Sequence, residues 1–490
     1  MRRADFNGPQ TGEKIVILGG GITGLTVAWE LSKNSELPVL LIEKNVSTGG
    51  LAGSFHRRDR ILDFGSHRIH EQYDTEVLAI IRKLLGDELL KRPRRGQIRI
   101  QGKFLNYPPA ITQVLTSFGL AQGIRLARDF LLSRNNFFFN SYRATEPTPR
   151  TSFEEYATRA VGKSLYESFY RPYALKLWGV SPTGLSFEPA VSRVRKFELR
   201  AVLRELKNMA TGVTTSHSFY YPARGFGQIA AKIQEQFIDN GGEILFESSV
   251  ERLELKNDSE IEAIHVETGG EKSRRLSARL LISTAPIDVL HQLVCSALGD
   301  GEAELCLSWR SLRILYLFTT DKTSSVSETY YFPEPDVIFG RVSEPAKYSP
   351  FLNQVEEKTA LVIEIPCTFG DEIWNLEDKI IADRCIDDLR KLKILNPGPA
   401  ENSEYFSRKI KNLYPVYELG WRDKLDEALR RFNSIKNLYS VGRSALFLHC
   451  NVDHCMSMAL KLARHLSDEK NTHEDWERSL SDVFNLSLHE

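Results

Sequence analysis

The 490-residue sequence predicts an α/β fold. Three observations carry that prediction. An apolar run at 15–18 leads straight into Gly19-x-Gly21-x-x-Gly24. A helical pattern follows, with Leu25, Ala28, Trp29 and Leu31 at helical spacing. A second apolar run at 38–42 ends in an acid, Glu43, 19 residues beyond Gly24. Strand, glycine turn, helix, strand and acid in that order make a Rossmann-like dinucleotide-binding unit. Gly19 permits the tight turn, and Gly21 lets the backbone approach a pyrophosphate. Gly24 lets the helix pack close to the strand. The helix start offers free N–H groups and a positive dipole end to the phosphates. Glu43 stands where a ribose hydroxyl is received.

The remaining elements divide the chain into interleaved pieces. Residues 12–95 read as the first piece of the dinucleotide-binding domain. Residues 96–218 read as a helical insert that contributes to a substrate region, on periodicity such as Ile124, Leu126, Ala127, Phe130 and Leu131. Within it, 135–151 is polar and proline-containing and reads as a mobile loop. Residues 219–286 read as the second piece, with an amphipathic helix at 227–241, strand alternation at 243–255 and an apolar strand at 279–284. Residues 287–410 read as a β-rich, mixed-sheet substrate domain, with strands at 312–319 and 359–366 and one helix at 378–392. Residues 411–466 read as the third piece, with a strand at 438–443 and a helix at 456–466. Residues 467–490 form a charged tail, expected to be a solvated helix or a frayed end.

Composition bounds the function. Apolar residues make up 42% of the chain, enough for substantial cores. Lysine plus arginine equals aspartate plus glutamate at 64 each, so no global field draws nucleic acid or an anionic membrane. Polar residues, not an apolar signal core, follow Met1-Arg-Arg, and no apolar run approaches roughly 18 residues. A cytoplasmic protein without a spanning helix is expected. The six cysteines are scattered, with no CxxC or metal spacing, and a cysteine such as Cys450 reads as buried packing.

The stretch 48–54, Thr-Gly-Gly-Leu-Ala-Gly-Ser, places a second glycine pair just past the acid. Small residues there let the backbone pass beside an extended cofactor. Read with the first motif, they favour FAD over NAD. The pair of motifs resembles the flavoprotein family of amine oxidases, protoporphyrinogen oxidases and UDP-galactopyranose mutases. Further segments resemble the mutases in order along 14–463. These are Asp-Phe-Gly-Ser-His-Arg-Ile-His at 63–70, Tyr-Ala-Leu-Lys-Leu-Trp-Gly at 173–179 and Tyr-Pro-Ala-Arg-Gly-Phe-Gly at 221–227. Gly-Arg-Val-Ser-Glu-Pro-Ala-Lys at 340–347, Tyr-Pro-Val at 414–416, and Gly442-Arg443 with Asn451, Asp453 and His454 complete the series. The resemblance implies a GR2-type FAD-binding domain. It adds Gly50, Leu51, Val250, Gly442, Arg443 and Asp453 to the cofactor residues.

The same resemblance implies the substrate side. His67 would lie over the flavin ring, where a ring N–H steadies charge on the reduced cofactor. Tyr173 and Trp178 would stack near a nucleobase, although core packing explains both rings equally well. Arg193 and Arg341 would clamp a diphosphate in bidentate fashion, with Arg341 acting on substrate more than on folding. Arg443 would approach the flavin and favour its reduced anion. The mutases carry tyrosines in the closing motif, whereas this chain has Phe447 and His449 at those positions. No metal is expected, because His67 and His70 lack a third ligand at local spacing.

The resulting expectation is an FAD-dependent enzyme acting on a nucleotide-sugar as the mutases do. Their chemistry uses N5 of reduced flavin to attack the anomeric carbon, with NAD(P)H as a candidate external reductant. The alternative is an oxidase or dehydrogenase taking hydride from a small substrate, which the missing tyrosines favour. A non-catalytic escort protein related to GDP-dissociation inhibitors is the third reading, and the intact glycine fingerprint argues against it. The oligomeric state stays open.

Overall fold

A computed structural model describes residues 13–107, 147–189, 218–301, 304–352, 358–396, 403–468 and 470–483, with a few positions at 113–132 and 191. Arg193, Ala127, Phe130 and Leu131, and residues 135–146, lie outside the described residues.

The chain opens with β1 (Lys14–Leu18), α1 (Ile22–Ser32) and β2 (Val39–Ile42). Then come β3 (Ser54–Arg57), β4 (Arg60–Asp63), β5 (Ile69–His70), α2 (Thr75–Leu85), β6 (Leu89–Pro93), β7 (Gln97–Ile100) and β8 (Lys103–Asn106). The insert contributes α3 (Phe153–Val161) and α4 (Arg171–Trp178). Next are β9 (Ser218–Pro222), α5 (Gln228–Asp239), β10 (Glu243–Leu245), β11 (Ser248–Lys256), β12 (Glu260–Thr268), β13 (Arg274–Ser283) and α6 (Ile287–Leu298). Next follow β14 (Ser308–Thr319), β15 (Thr329–Tyr331), β16 (Arg341–Ser343), β17 (Thr359–Cys367), α7 (Asp378–Lys391) and β18 (Glu404–Val416). The chain closes with α8 (Trp421–Asn433), β19 (Leu438–Ser440), α9 (Val452–Ser467) and α10 (His473–Val483).

Two large sheets organise the molecule. In the first, β10, β2, β1, β13 and β19 run parallel. β1 and β2 are buried at every position, which is why they read as unbroken apolar runs. The helix α1 is buried nearly all round, packed against α5 and α9. β13 serves twice: its first half pairs antiparallel with β12, and its second half joins β1 and β19. The second sheet runs β18-β14-β17-β16-β15-β7-β8. It is antiparallel except where β15 meets β7, so it is mixed. α7 covers it through Ile381, Cys385, Ile386 and Leu389.

Four differences from the sequence reading have local causes. Residues 97–106 fall in the stretch read as helical, yet β7 alternates in burial and pairs with β8 in a hairpin at the edge of the second sheet. Residues 287–298 form a helix in the region read as strand-rich; its Leu290, Leu293 and Val294 face the core at helical spacing. α9 begins four residues before the expected start because Asn451 and His454 close a capping box. The tail is docked over 473–480: Trp476 and Leu480 are buried, and His473 Nε2 hydrogen-bonds the Leu438 carbonyl at 2.9 Å.

Candidate active site

One cleft of about 2840 Å³ lies between the C-terminal ends of the parallel strands and a face of the second sheet. Drug-sized ligand pockets hold ~300–1,000 Å³, so this space accommodates an extended dinucleotide and a second ligand. Its floor is the glycine turn. Gly19 takes φ +97°, a backbone that side chains rarely adopt. A Cβ on Gly24 would lie 1.9 Å from the Gly19 carbonyl oxygen, so only glycine lets α1 start this close to the turn. A Cβ on Gly21 would meet no protein atom within 4 Å; it would stand in the open cleft. The first turn of α1 carries no acid and no side-chain cap, which leaves its N–H groups for a ligand.

The second glycine pair touches the first. Gly49 N donates to the Gly20 carbonyl at 2.7 Å, and a Cβ on Gly50 would come 3.2 Å from Gly21 Cα. Gly50, Leu51 and, on β11, Val250 line the cleft. Glu43 is 5% exposed at the end of β2. Its Oε2 accepts from Gly20 N at 2.7 Å, and its Oε1 accepts from Asn45 N at 2.8 Å and Asn45 Nδ2 at 2.6 Å. Asn45, which orients the acid, had no distinguishing signal in the sequence beyond its position.

The closing segment supplies the opposite wall. Gly442 has φ +104° and presses on Thr23 of α1, where a Cβ would lie 2.8 Å from the Thr23 hydroxyl. Arg443 lines the cleft, donating from Nη1 to the Cys450 carbonyl (2.7 Å) and from Nη2 to the Leu413 carbonyl (3.0 Å). No carboxylate pairs with it among the described residues. Among the described residues its Nε and the Oδ1 of the buried Asp453 have no hydrogen-bond partner. Asp453 sits in the first turn of α9, behind the cleft surface. His449 lines the cleft, 5.2 Å from the Tyr414 ring. Phe447, expected at the substrate, is instead fully buried. Its φ of +51° turns the ring onto Trp309, Tyr417 and Trp421.

The loop after β4 brings His67 to the cleft over Phe226, with ring centroids 4.8 Å apart. Burial holds its pKa below the usual imidazole range, despite the nearby Asp63. The ring is therefore neutral at pH 7, and Nε2–H donates to the Phe64 carbonyl at 3.2 Å. The expected N–H toward the flavin is thus spent on the backbone, and Nδ1 is left as an acceptor. Asp63 is buried beneath, bonded to Tyr221, to Ser54 Oγ at 2.5 Å and to Phe226 N at 3.1 Å. Burial raises its carboxyl. His70 also lines the cleft, within β5.

Arg341 lies directly across from Glu364 on adjacent strands. Its Nε and Nη2 form a bidentate pair with the buried carboxylate at 2.9 and 2.6 Å. Glu364 Oε1 also accepts from Ser66 N at 2.9 Å, beside His67. The arginine thus ties the second sheet to the His67 loop while its Nη1 keeps no partner among the described residues. Glu364 carried no motif and was not singled out from sequence.

At the far end of the cleft Tyr173 stacks on Phe169 at 6.0 Å and 9°. Tyr107 stacks on Tyr331 at 4.2 Å, and Arg94 lies 5.1 Å over Tyr107. All four rings and Arg94 line the space. Trp178 does not. It is 2% exposed against Phe153, which assigns it to the core. Lys176, between the two motif aromatics, does line the cleft and donates to the Phe332 and Glu334 carbonyls at 2.7 Å each.

This cradle fits FAD. The open space over Gly21, the bare start of α1, Glu43 at the strand end, and the Arg443 side chain at the wall are complementary to a dinucleotide with phosphates and hydroxyls.

In sequence, the chain is 26% identical over 178 residues to the probable UDP-galactopyranose mutase of Klebsiella pneumoniae, covering 35% of this chain and 43% of that protein. It is 24% identical over 174 residues to dTDP-fucopyranose mutase of Escherichia coli, covering 34% and 42%. The match thus spans less than half the length of either relative. In structure, reduced UDP-galactopyranose mutase superposes with a TM-score of 0.75 at 22% identity, covering 93% of this chain and 94% of that one. Putrescine oxidase bound to putrescine gives 0.58 at 14%, covering 93% and 99%. The model of the flavin containing amine oxidoreductases matches residues 22–466, so the chain belongs to that family and is an FAD-dependent enzyme.

Proposed function

We propose that this enzyme acts on a nucleotide-sugar in a mutase-like way, with FAD used in its reduced state. The observation that carries the reading is the far end of the cleft, where stacked aromatic pairs stand beside cations. Tyr173–Phe169 and Tyr107–Tyr331 offer flat faces to a base. Arg94, Arg95, Lys176 and the free Nη1 of Arg341 offer donors to a diphosphate. The sequence likeness to two nucleotide-sugar mutases points the same way.

When bound, FAD supplies reversible two-electron chemistry and, when reduced, a nucleophilic ring nitrogen. The chain supplies the rest. Gly21, the α1 start and Glu43 hold the cofactor. Arg443, without a carboxylate partner, places positive charge at its wall and favours a reduced anion. Glu364 fixes the Arg341 fork, so the diphosphate meets an oriented donor rather than a mobile side chain. Neutral His67 offers Nδ1 as an acceptor for a sugar hydroxyl or a flavin N–H. NAD(P)H is the proposed external reductant.

The second reading is hydride removal from a small substrate by oxidised FAD. One observation favours it: Phe447 is buried and brings no hydroxyl to the closing segment. Dithionite reduction separates the two. The mutase-like reading expects a nucleotide-sugar to be isomerised only by reduced protein, with no net electrons consumed. Bleaching of the oxidised flavin by a small amine or alcohol, with nucleotide-sugars inert, would sink it.

A further inference from the structure

Two cysteines meet at the wall of the cofactor cradle. Cys450 lies in the turn after β19, and Cys455 lies in the first turns of α9. Their Sγ atoms are 3.8 Å apart. The residues are 3% and 5% exposed, yet both line the cleft. Cys455 Sγ contacts the Cys450 thiol, with Thr23 at the start of α1 and Arg443 close enough to act on its ionisation. The Cys450 hydrogen bond, aided by the Arg443 charge and Thr23, lowers the Cys455 thiol to about 7. Cys450 moves the other way, through the same bond and burial. Arg443 Nη1 grips the Cys450 carbonyl at 2.7 Å and fixes the second sulfur in place. A thiolate in contact with a thiol is the arrangement of an attacking and a resolving cysteine. The other cysteines differ: burial raises the thiols of Cys295, Cys367 and Cys385, and Cys306 is exposed.

We propose that Cys450 and Cys455 are a redox-active pair that hydrogen peroxide closes reversibly to a disulfide, and that closure loosens the FAD cradle. The Cys455 thiolate attacks one peroxide oxygen. The O–O bond breaks, leaving a sulfenic acid and a hydroxide that takes up a proton as water. The Cys450 sulfur then attacks the sulfenic sulfur; the S–S bond forms, the S–O bond breaks, and the second water leaves with the Cys450 proton. Two thiols lose two electrons, and one peroxide becomes two waters. A dithiol reverses the step by exchange. A disulfide bond is about 2.05 Å long, so the sulfurs must approach one another. Cys455 thereby withdraws from Thr23 and the Arg443 backbone, which both border the pyrophosphate end of the cradle. The inference rests on the cradle alone and stands apart from the choice of substrate.

The test uses the full chain, with and without FAD, exposed to equimolar hydrogen peroxide, alkylated and mass-mapped. The expected product is an internal disulfide in the peptide holding both cysteines, lighter by two hydrogens and protected from alkylation, formed before Cys367 or Cys385 reacts. Dithiothreitol restores both thiols. FAD affinity of the oxidised apoprotein, read by flavin fluorescence, falls roughly tenfold, as expected for one or two lost contacts. In Cys450→Ala, a sulfenic acid at Cys455 accumulates and is trapped by dimedone. Alkylation of both cysteines after Cys306 has been consumed, or over-oxidation of either without a crosslink, overturns the pair. A closed disulfide with unchanged FAD affinity overturns its coupling to the cradle.

Discussion

At Gly21 an added side chain points into empty cleft, whereas at Gly24 it drives into the Gly19 carbonyl. The two glycines therefore fail differently. Gly21 has φ −66° and ψ 174°, which any residue adopts. Gly21→Val is expected to fold with a near-normal melting temperature and to purify colourless, because the valine fills the pyrophosphate's place. Gly24→Ala is expected to lose at least ~1–3 kcal/mol of apoprotein stability through overpacking. A yellow Gly21→Val protein would remove the cofactor assignment from this turn. The same contrast between fold and function applies to Arg341. Its motif pointed to substrate, and the structure adds a buried partner on the next strand. Arg341→Ala strands Glu364 and is expected to cost on the order of 3 kcal/mol, with ligand affinity falling as well. Arg341→Met combined with Glu364→Leu should regain most of the stability but not the affinity. Thermal melts beside ligand titrations check this, and a single mutant that melts like the wild type contradicts the role of the pair.

Elements whose chemistry is local were the legible ones. β1, α1 and β2 are readable because a strand buried on both faces writes an unbroken apolar run, and the glycine turn into α1 needs glycine structurally at Gly19 and Gly24. α5 and α7 were readable from their amphipathic spacing. Elements defined by a distant partner were not. The β7–β8 hairpin alternates only over the four residues of β7 and acquires its place by pairing with β15. α6 falls in the region read as strand-rich, and its Ile287–Leu298 face of Leu290, Leu293 and Val294 becomes distinct only when packed on the core. The site divides along the same line. His67 was recognisable as a cleft residue, but its proton is directed by the Phe64 carbonyl, which periodicity does not encode. Trp178 and Tyr173 share one motif and one helix, and only packing separates the core ring from the one that lines the cleft. Cys450 and Cys455, five residues apart across a helix start, matched no familiar spacing. Their contact depends on the capping turn at Asn451.

Across the whole molecule the formal charge cancels, yet lysine and arginine outnumber carboxylates along the cleft. The positive field is thus local, aimed at one space between two sheets, and an anionic ligand feels it where low-dielectric walls focus it. Its most adjustable component is Lys176. Burial pushes its ammonium down to about 7, so its charge varies across the physiological range. The sign follows from linkage. A diphosphate prefers the protonated lysine, so affinity is highest below pH 7 and declines as the pH rises through about 7 and the proton is lost. A nucleotide-sugar is the right probe, because its diphosphate is esterified at both ends and carries no phosphate proton that titrates near neutrality. Its dissociation constant should rise on going from pH 6 to pH 8.5, and also with added salt. Lys176→Met should weaken binding roughly ten- to a hundredfold at pH 6, the worth of a charge-assisted hydrogen bond, and much less at pH 8.5. The variant's pH profile should therefore be flat where the wild type slopes, while salt still weakens both through Arg94, Arg95 and Arg341. Calorimetric titrations at the two pH values decide it. An equal slope in wild type and variant would move the titrating charge to another group and leave Lys176 as a prop for the Phe332 and Glu334 carbonyls.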